Sequence, residues 1–259
     1  CLVHKSSGKS VSCCLEFVSP HTFDHFRIFK YILFYIVLFH TGRIIKRMAD
    51  LKQKSQSHPF TVIVEGNIGS GKTTFLNYFK KNKDICVLAE PIEMWRDCNG
   101  NNLLGLLYEN PNRWCFSFQL YVLLTMMQNH TLKTEHSIKL MERSVYSGRY
   151  CFIEKMTKEG FIPPPSATVI DGYFNWILNN TNVNVDLIVY LRTTPETVYK
   201  RITERNRQEE KAVSFQYISE LHEIHEKWLY HKTLYSCPSP VLVLDANLDK
   251  KNIIAEYTK

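Results

Sequence analysis

Eight residues carry the clearest chemistry in the chain. Gly66, Asn67, Ile68, Gly69, Ser70, Gly71, Lys72 and Thr73 follow the pattern G-x-x-x-x-G-K-[S/T]. They stand between an apolar run and a helix-spaced segment, the setting in which such a loop wraps phosphate oxygens with backbone N–H groups. Glycines let the backbone approach without Cβ clashes, and the helix that follows adds partial positive charge. Lys72 is spaced to reach the β- and γ-phosphates of ATP, Thr73 to offer its hydroxyl to Mg²⁺, and Thr74 to extend the cradle. Thr74 also stands where a G-x-G-x-x-G dinucleotide fingerprint would need its third glycine. The loop speaks for a nucleoside triphosphate and is silent about what receives the phosphoryl group.

Three further clusters bear on the acceptor. Glu90 closes the second apolar run in "LAEPIEMW". An alcohol acceptor benefits from a carboxylate that takes its proton, whereas a nucleoside monophosphate is already anionic and would be repelled by one. Glu142-Arg143-Ser144 ends a third run. There Glu142 can hold the magnesium shell, and Arg143 can hold the acceptor oxygen and stabilise charge on the base. Arg201, Arg205 and Arg207 lie in "RITERNRQEE", with the first two at i,i+4 on one helix face. An arginine-rich segment of this kind closes over migrating phosphate and excludes water.

The elements that must position these residues alternate between strand and helix. Apolar strands are expected at Phe60–Glu65, Ile85–Ala89, a third ending at Met141, 185–192 and 240–247. Helices are expected at Lys72–Asn82, at Leu103–His130 with a break at Asn110-Pro111, from the third strand through Met156, at Thr168–Leu178, from Thr194-Pro195 onward, and over 214–232. "GFIPPP" at Gly160–Pro165 reads as loop. The pattern predicts an α/β fold of the P-loop kinase type. It has a five-stranded parallel sheet flanked by helices, an arginine-rich lid, and the site at the carboxyl ends of the strands.

The net charge of +7 over 259 residues does not signal nucleic-acid binding, because residues 1–47 carry five of those charges and no basic stripe follows. The eight cysteines show no C-x-x-C pair or zinc spacing, which implies a reducing compartment; Cys86 and Cys151 read as small core residues. "YILFYIVLF" is shorter than a membrane span, so no stable membrane insertion is expected. Residues 1–58 read as an extension and linker outside the kinase domain, which occupies 59–259, with translation expected to start at Met48. The expected location is cytoplasmic, with a mitochondrial alternative.

Taken together, the Lys72 loop, the "EP…W" of Glu90 to Trp95, "ERS" at 142–144 and "RNRQEE" at 205–210 resemble the deoxyribonucleoside kinases. That family includes deoxycytidine, deoxyguanosine and mitochondrial thymidine kinases, and the pattern lies nearest its insect multisubstrate branch. The resemblance covers about Pro59 to Asn247. It implies transfer from MgATP to the 5′-hydroxyl of a deoxynucleoside in nucleotide salvage, with thymidine and deoxycytidine favoured and broad acceptance. Glu90 is then the base and Arg143 its assistant. Gln119 reads the base edge, Phe152 stacks on it, and Trp95 walls the pocket. Tyr108 and Glu210 grip the 3′-hydroxyl. Alone, the three aromatics would more often be core residues. Val122, Met126 and Gly148 match positions whose bulk tunes base choice, and Gly148, where the insect enzymes carry alanine, should widen the pocket. The family's homodimer is also implied. "EKM" at 154–156 departs from the family's usual "ENM". The rival enzyme reading, a thymidylate kinase-like enzyme, conflicts with Glu90 and "ERS". A GTPase switch is disfavoured because no D-x-x-G or N-K-x-D stretch follows the loop.

Overall fold

The computed structural model describes residues 58–248 apart from 208, 209 and 212; the expectations for residues 1–57 lie outside the described residues. Five parallel strands form one sheet in the order β2-β3-β1-β4-β5. They are β1 (Phe60–Glu65), β2 (Ile85–Leu88), β3 (Ile138–Glu142), β4 (Leu187–Arg192) and β5 (Val241–Asp245). The central strands read as continuous apolar runs because helices cover them; Ile63, Val64, Met141, Ile188 and Val189 are fully enclosed. The chain leaves β1 toward β2 on one side and later returns to β4 on the other. The crevice at that reversal, beyond the carboxyl end of β1, is where an open α/β sheet binds its ligand.

The helices are α1 (Lys72–Phe79), α2 (Ile92–Arg96), α3 (Leu103–Glu109) and α4 (Pro111–Thr131), then α5 (Val145–Ser147) and α6 (Glu154–Lys158). After them come α7 (Pro164–Asn180), α8 (Pro195–Arg205) and α9 (Phe215–His225). Asn110 ends α3 and caps α4, its side chain accepting from Arg113 N at 3.2 Å, which explains the break foreseen there. Thr194 caps α8 in the same way, with Pro195 in the first turn. Among the described residues no helix is long and apolar enough to cross a membrane.

Several boundaries differ from expectation. α1 stops at Phe79, because Lys80-Lys81-Asn82-Lys83 offers no apolar side chain to bury. β3 runs one residue further, to Glu142. α7 begins at Pro164, inside the stretch read as loop: proline has its φ preset and needs no N–H partner in a first helical turn. The helix expected after β3 is not uniform. A π-helical segment, Gly148–Ile153, separates α5 from α6, and another, Glu226–Tyr230, follows α9. Cys151 is fully buried as expected, whereas Cys86 is only half-buried, because β2 is an edge strand.

Candidate active site

Strand register alone assembles the centre of the site. Val64 pairs with Glu142, and Leu88 with Met141. Continuing both registers beyond the strand ends puts Arg143 between Glu65 on one side and Glu90 on the other. The side chains meet that expectation on the Glu90 side: Arg143 Nε lies 2.9 Å from Glu90 Oε1, with 5% and 14% of the two side chains exposed. Burial raises the Glu90 carboxyl above its usual range against the pull of Arg143, and that carboxyl in turn keeps the buried guanidinium charged. Arg143 has φ 62°, a left-handed conformation that costs a non-glycine residue about 1–2 kcal/mol. Its guanidinium also lies over the Phe152 ring, 4.6 Å from the centroid.

The phosphate loop connects β1 to α1. Gly66 has φ 147°, and a Cβ there would come 2.8 Å from the Leu191 carbonyl, so no other residue fits. Gly71, at φ 100°, starts α1. Lys72 is buried, and its Nζ donates to the carbonyls of Asn67 (2.8 Å) and Gly66 (3.3 Å). Burial and then Arg143 lower its pKa to about 8. Thr73 Oγ1 donates to both Glu142 carboxylate oxygens, at 3.0 and 3.1 Å.

A cavity of about 950 Å³ runs from this loop to the helical side of the molecule. Ile68, Gly69, Ser70, Gly71, Lys72, Thr73 and Thr74 line one end. Glu90, Glu142 and Arg143 lie along it together with Trp95, Tyr108, Gln119, Val122, Met126, Gly148 and Phe152. Gly66 and Asn67 do not line it. Asn67 instead donates to the Ile218 carbonyl (2.9 Å), tying the loop to α9. Gln119 projects from α4, is 2% exposed, and donates through Nε2 to Met156 Sδ at 3.3 Å. Its buried Oε1 has no hydrogen-bond partner among the described residues. Trp95 Nε1 donates to Thr125 Oγ1 (2.9 Å), and its ring meets Phe118 edge-on, which fixes this wall.

The arginines divide. Arg205, Arg207 and Glu210 line the cavity together, with Glu210 Oε1 2.5 Å from Arg205 Nη2 and 3.7 Å from Arg207 Nη1. Arg201 also lines the cavity, but its guanidinium donates to the carbonyls of Ala246 (2.9 Å) and Leu248 (2.7 Å). It thereby braces the turn after β5 from the same cavity wall.

Sequence reasoning passed over Glu65 and Ser147, and it noted Ser144 and Lys155 without giving either a role. Glu65 is fully enclosed at the end of β1, and its Oε1 accepts from Ser144 Oγ at 2.6 Å. Burial pushes the Glu65 carboxyl up to about 7, against Arg143 and the two serines. Ser144 and Ser147 form a reciprocal capping box at the start of α5. Lys155, the departure from "ENM", is a buried tie between helices. Its Nζ lies 2.5 Å from both Glu159 Oε1 and Glu220 Oε2, and 5.1 Å from the Tyr217 ring centroid. The signal for it was a charged residue inside an otherwise core-facing helix.

A glycine cradle on a parallel sheet, joined by one cavity to a buried carboxylate–guanidinium pair, defines a phosphotransferase of the P-loop class. The family model for deoxynucleoside kinase matches residues 62–258. Among curated relatives, mitochondrial thymidine kinase 2 of Homo sapiens is 44% identical over 196 residues, spanning 76% of this chain and 74% of the relative. Deoxycytidine kinase of Homo sapiens is 35% identical over 221 residues, spanning 74% and 85%. Deoxycytidine kinase 2 of Gallus gallus is 34% identical over 236 residues, spanning 79% and 88%. The chain belongs to the deoxynucleoside kinase family, ATP-dependent phosphotransferases acting on deoxynucleosides.

Proposed function

We propose that the acceptor is the 5′-hydroxyl of a deoxynucleoside, with thymidine and deoxycytidine favoured and purine deoxynucleosides also accepted. The observation that carries this reading is Glu90: a mostly enclosed carboxylate, 2.9 Å from Arg143, in the cavity that joins the phosphate loop to Gln119. As the 5′ oxygen attacks the γ-phosphorus, Glu90 takes the hydroxyl proton, the bond to the β–γ bridging oxygen breaks, and ADP leaves. A carboxyl raised above its ordinary range by burial is better matched to that proton than an exposed one. Arg143 keeps the base ionised beforehand and steadies the hydroxyl oxygen.

In this proposal Gln119 presents its unpartnered Oε1 to the base edge. Phe152 stacks on the base, and Trp95, Val122, Met126 and Gly148 shape the wall around it. Tyr108 and Glu210 hold the 3′-hydroxyl, so that the arginines paired with Glu210 are drawn over the phosphates as the nucleoside binds. Arg205 and Arg207 offset the migrating charge, and Arg201 frames the donor end. The residues present suit magnesium: the Thr73 hydroxyl and Glu142 carboxylate are hard oxygen donors already adjacent to one another. Bound with ATP, the ion would neutralise charge on the β- and γ-phosphates.

Homodimer formation completes the proposal, supported by an exposed apolar stripe of Val169, Tyr173 and Trp176 on α7. The cytoplasm is the proposed location. The mitochondrion is the alternative, and mass spectrometry of the N-terminus of enzyme recovered from each fraction decides between them. For the reaction itself, ATP labelled at the γ-phosphate is incubated with thymidine and, separately, with thymidylate. Label on thymidine is expected; label on thymidylate alone would overturn the assignment.

A further inference from the structure

Arg143 is held from both sides, and only one side belongs to the reaction as described. Strand register places Glu65 across from Glu90, with Arg143 between them. Glu65 does not itself line the cavity and is fully enclosed, yet it accepts a 2.6 Å hydrogen bond from Ser144, a lining residue next to Arg143. The backbone of Arg143 is left-handed, and two bonds bracket that conformation. Arg143 N donates to the Val64 carbonyl at 3.0 Å, and Ser144 N to Ser147 Oγ at 3.2 Å. The Glu65–Ser144 bond is the third, and it joins this turn to the strand from which the phosphate loop departs.

We infer that Glu65 is a positioning residue for the Glu90–Arg143 pair: by anchoring Ser144 it keeps Arg143 in its left-handed turn with its guanidinium beside Glu90. The inference rests on the reading of Glu90 as the base. Without the anchor the turn relaxes toward ordinary φ, the guanidinium swings off Glu90, and the base loses its partner. Because Glu65 lies outside the cavity, substrate binding survives its loss and the chemical step does not.

Glu65→Leu keeps the volume and removes the acceptor; Glu65→Gln keeps an acceptor oxygen for Ser144. The two variants are compared with Glu90→Gln and the parent enzyme for kcat, for KM of thymidine and of ATP, and for the thermal midpoint. Glu65→Leu is expected to lower kcat by about 10- to 100-fold, up to the loss that an ångström's misplacement of a reacting group causes. Both KM values stay within about threefold. Glu65→Gln recovers most of kcat. Equal loss in both variants, a rise in KM without a fall in kcat, or normal kcat in Glu65→Leu each overturns the inference. Should Glu65→Leu fail to fold, Ser144→Ala removes the donor of the same bond and is read by the same split between kcat and KM. Near-normal kcat in Glu90→Gln would instead strike the reading of the base and leave the Glu65 result to stand by itself.

Discussion

Glu90 and Arg143 are 53 positions apart in the numbering, yet Nε and Oε1 lie 2.9 Å from each other because β2 and β3 run parallel in a register that brings their carboxyl ends level. The pair is thus set by two strands and not by a loop, so it is held even before substrate arrives.

Replacing Glu90 by Gln keeps the shape of the side chain but removes its charge and the proton acceptor. General-base contributions of this kind are typically about 10²- to 10⁴-fold. We expect kcat for thymidine to fall within that range, with nucleoside affinity by calorimetry little changed. Turnover close to the parent value would remove Glu90 from the role of base.

Gly148 is a position where the structure admits a methyl group. An added Cβ would sit 3.5 Å from Leu123 Cδ2 and 4.0 Å from Val122 Cγ1, ordinary contact distances, and the backbone at φ −52° is helical. Gly148→Ala should therefore fold normally while narrowing the wall shared with Val122 and Met126. The expected result is a drop of about tenfold in kcat/KM for deoxyadenosine and deoxyguanosine relative to thymidine, the scale set by one methyl in an apolar pocket. A ratio that does not move would show that Gly148 has no part in base choice.

The pH dependence of stability follows from four buried groups. Burial lowers the His130 and His225 pKa values from 6.5 to about 3, so the unfolded chain binds more protons and stability falls as pH drops from 6.5 toward 3. Burial raises Glu65 to about 7 and also raises Glu90. These two favour the folded state when protonated, and their contribution is lost as pH rises from 4.5 through the folded values. Between 4.5 and 6.5 the two histidines and the two carboxyls oppose each other. Below 4.5 the histidines are joined by carboxylates held low by their partners: Glu226 by Arg192 and Glu154 by Tyr235 and Lys158, both against burial, and Glu220 by Lys155. Urea midpoints should fall more gently from pH 6.5 to 4.5 than below it. Glu65→Gln removes one opposing group and should steepen the upper region by about 1.4 kcal/mol per pH unit. A decline of the parent enzyme that is equally steep from pH 6.5 downward would contradict this balance.

Trp176 is 55% exposed, with Val169 and Tyr173 on the same face of α7. A charged side chain within that stripe should be incompatible with a buried interface. Trp176→Glu is expected to sediment at half the mass of the parent protein with an unchanged circular dichroism spectrum. A parent protein that is itself monomeric, or a variant that still pairs, would place the contact elsewhere or remove it.

The phosphate loop, Glu90, "ERS" and the parallel sheet were legible in the sequence because each is a local pattern: contiguous residues at a strand end, or a period of apolar positions. The start of α7 was not, since three prolines in succession announce a turn, and a first helical turn tolerates them equally well. Glu65 was hidden by its neighbours, as the last residue of an apolar strand beside a glycine. Only the pairing of β1 with β3 gives it a role. Arg201 matched the lid pattern in type and spacing, but the turn that claims its guanidinium comes from residues 246–248, forty-five positions later in the numbering. Lys155 was noticed as an odd letter in a motif. Its partner Glu159 is four residues on, within reach of helical spacing, but Glu220 lies on α9, so the buried tie between the two helices could not be read from local pattern.

The π-helical segment that separates α5 from α6 carries one residue more per turn than an α-helix would. Gly148 and Phe152 belong to it, and Met156 lies just past it, so the nucleoside chamber is threaded by a helix with a spare rung. Deleting a single residue there would let the segment wind as ordinary α-helix, and five residues at 3.6 per turn sweep about the same angle as six in the wider winding, so α6 would keep its facing. Only the wall between Gly148 and Phe152 would be reset. Point replacements there grade substrate choice in small steps, whereas a shortening by one moves every side chain of that wall together.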